Sequence, residues 1–468
     1  MLKEIEKYLN PFKTLQDQKS YIEWVKMIRD KNMLTNRVIN KDIETEHNCK
    51  KYAIRIVLLS TMSLPGKLIQ FHNCSIMRDG QIMREDLWVR NSKIINPEPV
   101  FYDEKITADL KIDCENALIV PGFIDLQING GFGFDFSTPK EDIATSISMV
   151  AKGILQYGVT SFCPTLITST PDKYHEIIPK IKIQNGGKHG AGVLGIHVEG
   201  PFINKEKRGA HPIQHVKSLK NGIDDVINTY GALYNIRIIT LAPELDVKGS
   251  VIEELVRQGI TVSLGHSTCS LSDGERAVAH GASFITHLFN AMLPFHHRDP
   301  GLVGLLASEK LPPNKQIFYG IIADGIHTHP AALRIAYNAN PKGLVLVTDA
   351  MSAMGLQPGT YNIGDQKVDV TNTCAVLSGT QTLSGSIATM DSCIRFLLKS
   401  VGCSWVEAIE CATLHPAQVL GITQSKGTLN FGSDADFVLL NSNLEVEATF
   451  INGSCVWCKN QSLNLDAL

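Results

Sequence analysis

Long apolar runs are missing from this chain. The longest, such as Ile54–Leu59 and Gly343–Val347, fall far short of the ~20 residues that cross a bilayer, which argues against a membrane protein. Strong charge of either sign is missing too: 44 Lys and Arg against 47 Asp and Glu leave a formal net charge of -3. That balance gives no bulk attraction to nucleic acid or to an anionic membrane, so a phosphate-bearing ligand would need a local site. No apolar leader opens the chain, which begins MLKEIEKYLNPFK. The 11 cysteines, odd in number and scattered, then read as free thiols in a reducing compartment, and a cytoplasmic setting is expected. There is no Walker A motif, no G-x-S-x-G elbow, and no G-x-G-x-x-G at the first strand–helix turn. What is present is an apolar fraction of 44%, enough for a sizeable core and too high for global disorder.

The pattern divides the chain into four stretches. Residues 1–65 are rich in Lys, Glu, Asn and Ile and carry no catalytic cluster. They read as an N-terminal extension, poorly ordered apart from short helices over Leu2–Leu9 and Ser20–Met33. Residues 66–120 are strand-like, with Leu68–Met77 and Glu85–Arg90 expected as a hairpin about Asp79-Gly80. Residues 121–425 alternate strand and helix. Eight apolar strand candidates begin at Phe123, Thr160, Gly192, Arg237, Thr261, Ser283, Ile317 and Gly343, as an α/β fold built on a closed (β/α)₈ barrel requires. Residues 426–468 return to strands and can pair with 66–120 in one small β-sandwich-like domain made from both chain ends. The C-x-x-C at Cys455 and Cys458 has no second pair at metal-site spacing and is read as structural.

Polar residues cluster at the C-terminal ends of the predicted strands, the rim where barrel active sites form. Asp125, Gln127 and Asn129 share one face at the end of the first strand, and His197 and Glu199 share one at the end of the third. His266, His287 and Asp349 end the fifth, sixth and eighth. Any one of these alone is more often a satisfied core residue. Together, Glu199, His266 and His287 offer the one-carboxylate, two-imidazole set that suits Zn²⁺ or another divalent first-row ion with a position left open for water. Asp349 is a candidate acid/base, with a helix cap as its bland alternative. His327, just past the seventh strand, could donate to a developing oxyanion, or be an ordinary loop histidine. Arg298 with the amides of Asn290 and Ala291, the Arg208-Gly-Ala-His211 loop, and the Leu383-Ser384-Gly385 stretch are weaker candidates for holding an anion.

At these residues the chain resembles the N-acetylglucosamine-6-phosphate deacetylase family of the amidohydrolase superfamily. The matching blocks include PGFIDLQINGGFG (from Pro121), HVEGPFINKEKRGAHP (from His197), LAPE (from Leu241), SLGHS (from Ser263), THLFNAMLPFHHRDPG (from Thr286), IADGIHTHPAALRIA (from Ile322), LVTDAMSAMG (from Leu346) and LSGSIATMD (from Leu383). The resemblance covers about Lys67 to near the C-terminus. Most amidohydrolases carry H-x-H at the end of the first strand. Here Gln127 and Asn129 stand in that place, as in the deacetylase family, which implies one metal ion per subunit rather than two.

The resemblance further implies a barrel of the amidohydrolase type, with Glu199, His266 and His287 as ligands to Zn²⁺, or to Fe²⁺ or Co²⁺. It implies hydrolysis of N-acetylglucosamine 6-phosphate by a metal-activated water, with Asp349 as base and then acid and His327 polarising the acetyl carbonyl. Ala210, His211, Asn290, Ala291, Arg298, His327, Leu383, Ser384 and Gly385 would bind the sugar phosphate. Arg298 would come from the neighbouring subunit of a homodimer. The rival readings are a two-metal cyclic amidohydrolase of the dihydropyrimidinase kind and a catalytically silent barrel.

Overall fold

The structure, a computed structural model, describes residues 66–139, 142–363, 366–381 and 383–459. The expected N-terminal extension and its two helices lie outside the described residues.

Eight parallel strands form the central sheet: β1 (Phe123–Ile128), β2 (Val159–Ile167), β3 (Ile196–Glu199), β4 (Ile236–Leu241), β5 (Thr261–Leu264), β6 (Phe284–Ile285), β7 (Phe318–Ile321) and β8 (Leu344–Leu346). They pair in chain order, and Gly192–Val193 adds a short piece beside β2. Strands buried on both faces need near-continuous apolar sequence, and β1 (FIDLQI) is buried at every position. The sheet closes where the ends of β8 and β1 meet. Asp349 N donates to Gln127 O at 2.8 Å, Asn129 N donates to Ala350 O at 2.8 Å, and Ile128 bridges Ala350 in parallel.

Helices fill the crossovers, among them Ile143–Gly153, Ser250–Arg257, Leu271–Ala279 and Pro330–Ala339. Their limits follow local chemistry. Ser270 and Asp273 form a reciprocal capping box at the start of Leu271–Ala279, and Pro330 sits where its missing N–H is harmless. After β8 come helices Met390–Val401, Trp405–Glu410 and Leu414–Val419.

Strands from both sides of the barrel segment do pair. One six-stranded sheet runs Ser454–Cys458, Val446–Ile451, Phe437–Leu440, Leu118–Pro121, Ser75–Arg78, Gln81–Met83. A four-stranded sheet of Lys93–Ile94, Leu87–Arg90, Ile69–His72 and Leu110–Asp113 accompanies it. Phe71 of the smaller sheet meets Phe437 and Phe450 of the larger one edge-on, at 4.9 and 5.3 Å between ring centroids. Cys455 and Cys458 are both buried in this sheet.

Two expectations need correction. Leu68–Met77 is not one strand: Asn73 takes φ 56° and breaks it, sending Ile69–His72 and Ser75–Arg78 into different sheets. The Asp79-Gly80 turn therefore joins Ser75–Arg78 to Gln81–Met83, while Leu87–Arg90 pairs with Ile69–His72 instead. A further four-stranded antiparallel sheet, spanning Gly359–Gly385 beyond β8, had no counterpart in the sequence reading.

Candidate active site

The strand ends bring Glu199, His266 and His287 together. Glu199 Oε1 lies 3.0 Å from His266 Nε2 and 2.9 Å from His287 Nε2, and the two nitrogens are 3.0 Å apart. All three residues are buried. The backbone leaves the sheet sharply at these positions. His266 has φ 49°, His287 φ 24° and Asp349 φ 46°, left-handed values that non-glycine residues adopt mainly where surroundings enforce them.

The donor chemistry fits a divalent cation. His266 Nδ1–H donates to Lys207 O at 2.8 Å, which fixes the tautomer and leaves the Nε2 lone pair facing the cluster. Three lone-pair atoms about 3 Å apart can all reach a single ion at the ~2.0–2.2 Å typical of Zn–N and Zn–O bonds. The cluster also attracts positive charge by itself. Burial pushes His287 down, but the Glu199 carboxylate beside it more than offsets this and raises its pKa to about 9. Burial likewise pushes Glu199 up, and the two imidazoles hold its carboxyl well below the ordinary range.

Asp349 stands at the same rim. Its Oδ1 accepts from Asn129 Nδ2 at 2.7 Å and from Gln127 Nε2 at 3.2 Å, leaving Asn129 Oδ1 and Gln127 Oε1 buried without partners. Burial and then the charge of Glu199 raise the Asp349 pKa to about 7, against the opposing pull of His287, Asn129 and His327. The helix-cap alternative does not describe it: the segment after Asp349 is a turn, tied by Met351 N to Ser386 O at 2.9 Å.

The other candidates divide into those at the site and those at its edge. His211 is buried, bonded through Nδ1 to Thr168 Oγ1 at 2.7 Å, and its ring lies 4.6 Å from that of His266. Burial lowers its pKa to about 3, so it is neutral. His327 is half-buried, with Nδ1 2.6 Å from Asp324 Oδ2. Ala210 is exposed beside His211, and Asn290 and Ala291 are half-buried after β6. Leu383, Ser384 and Gly385 form the last strand of the inserted sheet, which reaches the Asp349 segment through the Ser386–Ala350 bridge. Arg298 is exposed on its loop.

One orienting residue, Asp324, was not singled out from sequence, and another, Asp125, was placed on the rim face without a partner or a role. Asp324 accepts from His327 Nδ1 and from the amides of Ile326 and His327, both at 2.8 Å. Asp125, placed by alternation on the face of Gln127, accepts from Thr348 Oγ1 at 2.5 Å and from Thr348 N at 3.3 Å, just ahead of Asp349. Both lie inside motif blocks, but only the fold reveals their partners. His197, on the face of Glu199, is bonded to Leu126 O and Thr240 Oγ1 and belongs to the barrel core.

Residues 118–456 match the model of the amidohydrolase family. The chain is similar to human N-acetylglucosamine-6-phosphate deacetylase, at 57% identity over 393 residues, covering 84% of this chain and 96% of that protein. The chain belongs to the N-acetylglucosamine-6-phosphate deacetylase family of amidohydrolases. The Caenorhabditis elegans deacetylase is 51% identical over 84% of this chain and 96% of its own length. Among solved structures, a Mycobacterium smegmatis deacetylase variant in complex with N-acetyl-D-glucosamine-6-phosphate is similar with TM-score 0.70 at 27% identity, over 84% of this chain and 99% of that one. Among the described residues, no helix of this family member is long and apolar enough to cross a membrane.

Proposed function

We propose that this chain is a metal-dependent hydrolase that converts N-acetylglucosamine 6-phosphate to glucosamine 6-phosphate and acetate. The observation that carries the reading is the convergence of Glu199, His266 and His287 within 3.0 Å of one another at the rim that also holds Asp349. Kinship to named deacetylases supports the substrate class.

In this reading Glu199, His266 and His287 hold one divalent ion, Zn²⁺ by preference, with Fe²⁺ or Co²⁺ also suited to the donors. When bound, such an ion supplies Lewis acidity, making water acidic enough to attack at neutral pH. Asp349 takes the proton of the attacking water and afterwards delivers it to the departing nitrogen, since an amine leaves far better once protonated. A carboxylate with a pKa near neutrality is suited to both transfers. His327 donates Nδ1–H to the Asp324 carboxylate, and in its imidazolium form, which carries a second N–H at Nε2, it donates to the acetyl oxygen as negative charge grows there. Gln127 and Asn129 occupy the place where a second ion would need imidazoles, and their amide hydrogens orient Asp349 instead.

Ala210, His211, Asn290, Ala291 and Leu383–Gly385 line the sugar phosphate. Arg298 reaches the phosphate of a neighbouring subunit in a homodimer, and binding that remote group positions the acetamide. The setting is cytoplasmic. We further read residues 66–120 and, of the 426–468 segment, the described residues 426–459 as one small β domain beside a catalytic barrel over 121–425. The test is acetate release from N-acetylglucosamine 6-phosphate with and without a chelator; no release under any metal condition would refute the reading.

A further inference from the structure

Glu244 ends the Leu241-Ala-Pro-Glu244 block just past β4 and has no part in the chemistry proposed above. Its carboxylate is crowded with neutral donors. Oε1 accepts from Thr268 N at 2.8 Å, Asn204 Nδ2 at 2.9 Å and Thr268 Oγ1 at 3.2 Å, and Oε2 accepts from Ser267 Oγ at 2.6 Å.

These donors come from the two segments that hold His266. One is Ser267-Thr268, which follows it directly. The other is the turn Asn204–Lys207. Asn204 N donates to His266 O at 2.8 Å, and Lys207 O accepts from His266 Nδ1 at 2.8 Å. Asn204 Oδ1 caps this turn by accepting from Glu206 N at 2.9 Å while its Nδ2 is held by Glu244. His266 itself sits at φ 49°, a conformation that persists only where its surroundings over-determine it. Both anchors of that conformation converge on one carboxylate.

We infer that Glu244 is a positioning residue for His266, locking the segments on both sides of the imidazole so that Nε2 stays aimed at Glu199 and His287. The inference rests on reading those three residues as a metal site. Glu244 acts by hydrogen-bond geometry rather than by its charge. A glutamine there keeps an acceptor for the three Oε1 donors, and its amide can donate to Ser267 Oγ.

The test is the Zn²⁺ dissociation constant of the full chain, measured by competition with a chromophoric chelator. Losing a partner outside the ligand set typically weakens metal binding ~10–100-fold, and Glu244→Ala is expected to fall in that range. KM for the phosphorylated sugar at saturating Zn²⁺ should stay near wild type, and Glu244→Gln should restore near wild-type Zn²⁺ affinity. Unchanged Zn²⁺ affinity in Glu244→Ala overturns the inference. So does a glutamine variant as weak as the alanine one, because charge would then be acting. If Glu244→Ala does not fold, Asn204→Ala carries the test with a smaller expected loss, and no loss overturns the inference. A wild-type chain that binds no Zn²⁺ sinks the metal-site reading itself, a separate failure.

Discussion

Asn129 Nδ2 donates to Asp349 Oδ1 at 2.7 Å, across the seam where the last barrel strand meets the first. The two residues are 220 positions apart in the chain. With Gln127 adding a second donor at 3.2 Å, two side-chain amides at the end of the first strand hold the carboxylate that follows the last.

Replacing Asp349 by asparagine keeps the shape and removes the proton shuttle. We predict a fall of ~10²–10⁴ in kcat/KM, with bound metal and melting temperature unchanged. Turnover in Asp349→Asn equal to wild type would take the role away from this residue.

The pH profile should rise through the Asp349 titration. A base works only when deprotonated, so activity grows with pH as that carboxyl ionises. Burial and Glu199 raise its pKa to about 7, and a dication held by Glu199, His266 and His287 would favour the ionised form and pull it lower. The acid limb of kcat/KM is therefore expected below pH ~7. Removing a donor to the ionised form has the opposite sign, so Asn129→Ala should move that limb to higher pH. A limb that stays put, with activity otherwise retained, would disconnect Asn129 from the acid/base.

Arg298→Ala should raise KM for the phosphorylated sugar and leave hydrolysis of the unphosphorylated sugar nearly unchanged. Equal losses on both substrates would refute phosphate binding. Mixing inactive Asp349→Asn chains with Arg298→Ala chains tests the shared site. If Arg298 serves the neighbouring subunit, mixed dimers regain the low-KM turnover of the phosphorylated sugar that neither parent shows, and no recovery counts against sharing.

Metal removal should destabilise the chain as well as silence it. An ion that binds only the folded state stabilises by RT ln(1 + [L]/Kd), about 4 kcal/mol at a thousandfold excess over Kd. A chelator should therefore lower the melting temperature and Zn²⁺ should restore it. In Glu199→Gln the same additions should have little effect. A melting curve indifferent to chelator in the wild type would speak against a structural hold on the ion.

The barrel was legible because its strands are short apolar runs between polar helices, so that even their order could be read. Strand length was less legible. Ser283–His287 shrinks to Phe284–Ile285 because His287 turns out of the sheet at φ 24°. The split at Asn73 and the inserted sheet of Gly359–Gly385 were hidden for a related reason: turn residues and half-exposed strands lack the apolar contrast that marks a buried element.

Residue types at strand ends are a local property, and alternation along β1 and β3 determined which side chains face the rim. Which atoms meet there is not local. Glu199 reaches His266 and His287 across 67 and 88 residues, and Gln127 reaches Asp349 across 222. Those meetings, with the bonds of Glu244, Asp324 and Asp125 that steady them, depend on strand register and barrel closure. Register is settled only when the whole sheet packs, because a slip of one residue turns every side chain to the opposite face.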